Sequence, residues 1–190
     1  MKLSNVSNLS DALRGSPLFW LHDRGLTDAT IKRYYLGWDA RRKAIVIPYL
    51  NALGEVRRLR YRNFDSEPKY IWDKAGEPGV HLFHVRATRK EKLWLTEGEF
   101  DAMILSQMGF PAISIPGAKL FKNEWRYLFA YCRQLTVVFD GDQAGLEGTQ
   151  RVAGILGPIV DNFRSVRLPQ DMDVSDLYKQ DRSKLEELVK

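Results

Sequence analysis

Three short stretches in the second half of the chain concentrate its chemistry-bearing residues: LTEGEFD at 95–101, VVFDGDQAG at 137–145 and LPQDMDVSDLY at 168–178. Each begins where an apolar, β-rich run gives way to carboxylates and a turn. Glu97 and Asp101 are four residues apart, so a helix starting near Gly98 turns both toward one point. Asp140 and Asp142 flank Gly141, and Asp171, Asp173 and Asp176 follow the last run. Carboxylates delivered to one crevice repel one another, and some take up protons. The partner that relieves them is a hard divalent cation with oxygen ligands, Mg²⁺ or Mn²⁺. Mg²⁺ uses one or two carboxylates, waters and substrate phosphates rather than a protein cage, so phosphate chemistry is the natural companion. Helix capping is the competing use of such acids, and Asp142 and Glu99 both stand where a cap is needed.

The elements that must position these acids follow from hydrophobic rhythm. Strands are expected at Lys92–Thr96, Ala112–Ile115, Leu135–Phe139 and Ser165–Leu168, alternating with helices at Phe100–Met108, Asn123–Cys132 and Ala144–Leu156. Short helices are expected at Ser175–Tyr178 and Lys184–Val189. Alternating strand and helix means an α/β fold with a mainly parallel sheet, and reactive groups gather past the C-terminal strand ends. The first half has another rhythm. Thr27 caps a helix through Ile31, Tyr34 and Tyr35 that Gly37 stops. Ala44–Tyr49 and Val56–Arg62 flank turn chemistry at Asn51–Gly54, a β-hairpin bearing Arg57, Arg58, Arg60 and Arg62. Residues 63–90 read as irregular. Two domains are expected, a small basic α+β one at 1–91 and the parallel-sheet one at 92–190.

Charge divides the same way. Residues 1–95 hold 18 Lys and Arg against 10 Asp and Glu, and residues 96–190 hold 11 against 14. A basic half beside an acidic half suits a protein that holds a polyanion with one part and cations with the other. Composition, 44% hydrophobic and 12% aromatic, excludes a wholly disordered chain. No apolar run approaches the ~20 residues of a membrane span, and the first residues lack a signal-peptide core, so the cytoplasm is the expected compartment. One cysteine, Cys132, builds neither a disulfide framework nor a cysteine-clustered zinc site. Of the five tryptophans, Trp38 and Trp72 stand in polar surroundings and are candidates for base stacking.

The ordered set Glu97-Gly98-Glu99-Phe100-Asp101, Asp140-Gly141-Asp142 and Asp173-Val174-Ser175-Asp176 resembles the Toprim domain of bacterial-type primases, topoisomerases and some nucleases. The connecting GFPAISIPG at 109–117 fits the same pattern. Upstream, Arg24-Gly25-Leu26, Ile47-Pro48, Gly54, the arginine-bearing strand and Pro68-Lys69-Tyr70 resemble the N-terminal part of the DnaG-type primase catalytic core. The resemblance implies metal-dependent synthesis of short RNA primers from nucleoside triphosphates on a single-stranded DNA template. It implies metal ligands at Glu97, Asp101, Asp140, Asp142 and Asp173, with Glu97, Asp140 and Asp142 catalytic. It further implies nucleic-acid or nucleotide contacts at Lys69 and at Arg58, Arg60 and Arg62. Neither the zinc-binding nor the helicase domain of such enzymes is expected in the chain, so a separate zinc-bearing protein or replicative helicase is an expected partner. A metal-dependent nuclease and a nucleic-acid-binding accessory protein are the alternative readings.

Overall fold

The computed structural model describes residues 9–190, which fall into two compact units, the first ending at Gly79 and the second running Val80–Lys190. The division lies at Gly79, so residues 80–91 pack with the second half. The reason is a bridge between Phe83 and Ser114 that ties this segment to the parallel sheet.

The first unit carries two helices, α1 (Ser16–Asp23) and α2 (Asp28–Arg33), and four antiparallel strands. The strands are β1 (Gly37–Asp39), β2 (Ala44–Leu50), β3 (Val56–Asn63) and β4 (Tyr70–Trp72), in the order β1-β2-β3-β4. Thr27 caps α2 by accepting from the Thr30 amide at 3.3 Å. The helix stops earlier than the sequence suggests. Tyr35 takes a left-handed backbone (φ 53°), which ends α2, and Gly37 instead opens β1. The hairpin forms as expected: the Asn51 side chain accepts from the Leu53 and Glu55 amides, and Gly54 takes φ 88°. β2 is apolar along its length because it is buried on both faces. Its Pro48 pairs with Leu59 on β3, while β1 has already ended opposite Val46. The region read as irregular contains β4, whose Tyr70, Ile71 and Trp72 pair with Arg62, Tyr61 and Arg60.

The second unit is a four-stranded parallel sheet in the order β6-β5-β7-β8, made of β5 (Lys92–Thr96), β6 (Ala112–Ser114), β7 (Gln134–Phe139) and β8 (Asn162–Arg167). Four helices accompany it: α3 (Glu99–Gln107), α4 (Gln143–Leu156), α5 (Val174–Gln180) and α6 (Arg182–Val189). α3 buries every residue from Glu99 to Leu105, so its pattern is apolar nearly all round. α4 is one-sided, burying Gly145, Gly148, Val152 and Leu156. The helix expected at Asn123–Cys132 is a 3₁₀ segment, Asn123–Phe129, whose Trp125 and Phe129, with Phe121 before it and Cys132 after it, join the core against Leu93, Leu95, Leu135 and Val137. α6 closes the chain onto the sheet: the Trp94 indole and the Arg164 guanidinium both donate to the Val189 carbonyl, at 3.0 and 2.8 Å.

β5 neighbours both β6 and β7, so the chain leaves β5 in one direction and returns to its other side. That reversal opens a crevice beyond the C-terminal ends of β5 and β7, the usual place for a ligand in such sheets.

Candidate active site

Glu97 is the first residue past β5, and Asp140 the first past β7. They meet across the crevice, where Glu97 Oε1 accepts from the Asp140 amide at 3.2 Å. The loops are pressed together so tightly that two positions exclude any side chain. A Cβ on Gly145 would lie 2.2 Å from the Asp140 carbonyl and 3.0 Å from Glu97 Oε1. A Cβ on Gly141 would lie 1.9 Å from the Pro169 carbonyl. The Asp140–Asp142 turn is in turn bonded to the third acidic stretch, Gly141 donating to the Met172 carbonyl at 2.9 Å and accepting from Asp171 at 3.3 Å.

The three acidic stretches therefore converge, and each acid has a local duty. Asp142 caps α4, accepting from the Gly145 amide at 2.7 Å. Asp173 caps α5, accepting from the Asp176 amide at 2.7 Å, with Asp176 returning the bond as a capping box. Asp101 is buried, and its Oδ1 accepts from both the amide and the hydroxyl of Ser175 at 3.2 Å. That contact ties the first acidic stretch to the third. Glu97, Asp140 and Asp173 are half-buried, and Asp142 is exposed.

Asp140 feels the convergence most clearly. Burial, and then the charges of Glu97, Asp173, Asp142 and Asp176, push its carboxyl up from 3.8 to about 7. A proton or a cation must neutralise such a group near neutral pH. Among the described residues no three acidic, histidine or cysteine side chains are arranged to hold a metal ion by themselves. The donor set instead suits an ion that takes one or two carboxylates and completes its shell with water and phosphate oxygens. Beside the turn lies a cavity of about 530 Å³, whose walls include Asp140, Asp142, Thr149, Arg167 and Gln170.

In the first unit the candidate basic residues separate into two kinds. Arg58 is committed to the fold: it donates to the carbonyls of Gly79 and Asp73 at 2.7 and 3.0 Å and pairs with the Asp73 carboxylate, with only 14% of its side chain exposed. Arg60 and Arg62 lie on the same face of β3 but over rings. Arg60 sits 4.3 Å from the Tyr70 ring and 5.4 Å from Trp72, and Arg62 sits 4.5 Å from Trp20 and 5.2 Å from Phe64. Lys69 is exposed and, with Arg62 and Phe64, lines an open cleft of about 320 Å³. Trp72 packs edge-on to Tyr49 under Arg58, and Trp38 edge-on to Phe64, so both rings serve packing.

Sequence reasoning missed Ser175, Glu99 and Arg167. Nothing in the spacing marks Ser175 as the holder of Asp101. Glu99 was read only as a cap, yet it is 1% exposed; an acid heading the apolar helix FDAMIL was the available signal. Arg167 on the cavity wall had none, being one more base on a short strand.

Comparison with known proteins agrees with this geometry. A Toprim-like domain matches residues 94–178. The Gene 57 protein of Mycobacterium phage D29 is 30% identical over 141 residues, covering 72% of this chain and 90% of that protein. The DNA primase of Synechocystis is 26% identical over 159 residues, covering 73% of this chain but only 24% of the longer enzyme. Among solved structures, the zinc-binding and RNA polymerase domains of Aquifex aeolicus primase superpose with a TM-score of 0.83 at 20% identity, over 98% of this chain and 59% of that one. The chain belongs to the Toprim-like family and has the fold of a DnaG-type primase catalytic core.

Proposed function

We propose that the chain is a primase-type nucleotidyltransferase core that joins ribonucleotides into short primers on single-stranded DNA, with Mg²⁺ or Mn²⁺ as cofactor. One observation carries the reading: carboxylates from two adjacent parallel strand ends and the final acidic loop converge on Asp140, whose carboxyl is raised to about 7 by burial and then by these neighbouring charges. The metal ligands are Glu97, Asp140 and Asp142, with Asp173 at the rim. Asp101 orients the third acidic stretch through Ser175. A divalent ion bound there supplies Lewis-acid activation of a 3′-hydroxyl and neutralises triphosphate charge.

The rest is positioning, which is most of what phosphoryl transfer asks of a protein. Glu97 holds the Asp140 backbone, and the two glycines keep the loops close enough for their carboxylates to act together. Asp142 spends one oxygen on its cap. Arg60, Arg62 and Lys69 grip phosphates of template or nucleotide, a contact that weakens steeply with salt. The separate zinc-bearing or helicase partner is part of the same proposal. Binding by phosphate contacts and stacking alone is indifferent to sequence, so start-site choice falls to that partner.

The experiment is incubation of the chain with single-stranded template, labelled nucleoside triphosphates and Mg²⁺ or Mn²⁺. Labelled short oligomers support the proposal. A shortened template assigns the same carboxylates to a nuclease, and binding without either product assigns the chain to an accessory role.

A further inference from the structure

The segment from Phe121 to Cys132 has a settled inner face, since Phe121, Trp125, Phe129 and Cys132 are core residues. Its outer face is unusual. Tyr127 and Tyr131 are 70% and 72% exposed, and Leu128 between them is 40% exposed. Bases interleave with these rings: residues 118–133 hold four Lys and Arg against one Glu, within a half of the chain that is acidic overall. Lys119 pairs with Glu147 at 2.7 Å, and Arg133 approaches Glu91 at 3.8 Å. Lys122 and Arg126 make no ion pair among the described residues. They lie against rings instead, Lys122 at 5.6 Å from Trp125 and Arg126 at 4.9 Å from Tyr127. Arg126 also donates to the Tyr127 hydroxyl at 2.9 Å.

We propose that Tyr127 and Tyr131, with Lys122 and Arg126, form a second binding surface for single-stranded nucleic acid, carried on the Toprim unit apart from its carboxylates. Two exposed rings four residues apart give stacking platforms for unpaired bases, which accept any sequence. The two cations, free of carboxylates, give phosphate contacts. Charge favours a polyanion as the occupant. The carboxylate edge of the sheet repels a strand, so a strand passing near it needs a local positive track, and this segment supplies one. The inference rests on the nucleic-acid reading given under Proposed function.

The test uses the full chain and a fluorescein-labelled oligothymidylate, with anisotropy read at several salt concentrations. Tyr127→Ala with Tyr131→Ala raises Kd about tenfold or more, with the salt slope kept. Lys122→Gln with Arg126→Gln lowers the slope by about 1.4, two phosphate contacts on a single strand. Tyr127→Phe with Tyr131→Phe keeps wild-type affinity, because stacking needs the ring and not the hydroxyl. Unchanged affinity in the alanine pair overturns this surface alone. A phenylalanine pair as weak as the alanine pair also overturns it. A wild-type chain that binds no strand overturns the nucleic-acid reading as well.

Discussion

Replacing Asp140 by Asn removes a charge from the acidic crevice while keeping the side chain's size, so it isolates electrostatics from packing. The carboxyl ionises near 3.8 in an unfolded chain and at about 7 in the folded one. The raised value means that the folded state holds the proton more tightly. This contribution to stability is fully present below about pH 4 and is lost as pH rises through 7. A gap of about 3 pH units at ~1.36 kcal/mol each amounts to ~4 kcal/mol. Asp140 is only half-buried, and solvent screening cuts the figure to ~2 kcal/mol. In chelator-treated buffer Asp140→Asn should therefore match the wild type near pH 4 and exceed it by ~2 kcal/mol at pH 8. Added Mg²⁺ should raise the stability of the wild type at pH 8 and leave the variant unmoved, since ligand binding stabilises only a state that binds. Urea denaturation followed by tryptophan fluorescence across pH 4–8.5 reads both effects. A variant less stable than wild type at pH 8, or a difference that does not grow with pH, refutes the burial and crowding of the Asp140 charge on which the site assignment stands.

Asp101→Asn keeps an acceptor for Ser175 and should retain fold and activity, whereas Asp101→Ala should lose about 1–3 kcal/mol by leaving buried donors unpaired; inactivation by the Asn variant would make Asp101 a ligand instead. Arg58→Ala should lower stability by about 3–5 kcal/mol, because its largely buried partner Asp73 is left without its charge, as denaturation reads directly. Arg60→Gln, Arg62→Gln and Lys69→Gln together should flatten the salt dependence of single-strand binding by about 2. Gly145→Ala should abolish activity and destabilise the second unit, since the new methyl collides with the Asp140 carbonyl; an active, stable variant would mean that the two loops need not touch.

The parallel sheet was legible because its strands are short apolar runs ended by turn residues, and β5 lies at Lys92–Thr96 as the pattern dictates. The acids were legible as a convergent set for the same reason: strand ends of one parallel sheet share one edge. Their individual duties were not. A carboxylate before an amide three residues on reads equally as cap or ligand, and Asp142 and Asp173 both turn out to cap. The end of α2 was misplaced because Gly37 offered a ready stop, while Tyr35 adopts a left-handed turn that its sequence does not advertise. Arg58, Arg60 and Arg62 alternate along β3 in a way that places them on one face, but only tertiary partners separate Arg58, bound to Asp73 and Gly79, from Arg60 and Arg62.

Template-directed extension of a supplied primer tests the central claim most directly, because the primer already presents a 3′-hydroxyl and removes the difficulty of holding two free nucleotides. The chain should add labelled ribonucleotides complementary to the template in the presence of Mg²⁺ or Mn²⁺, and more readily than it starts new oligomers. Asp140→Asn with Asp142→Asn should fold, keep the α4 cap that Asn supplies equally well, and add none. Incorporation by that double variant at the wild-type rate, or a wild-type chain that extends nothing while degrading the template, would contradict the account.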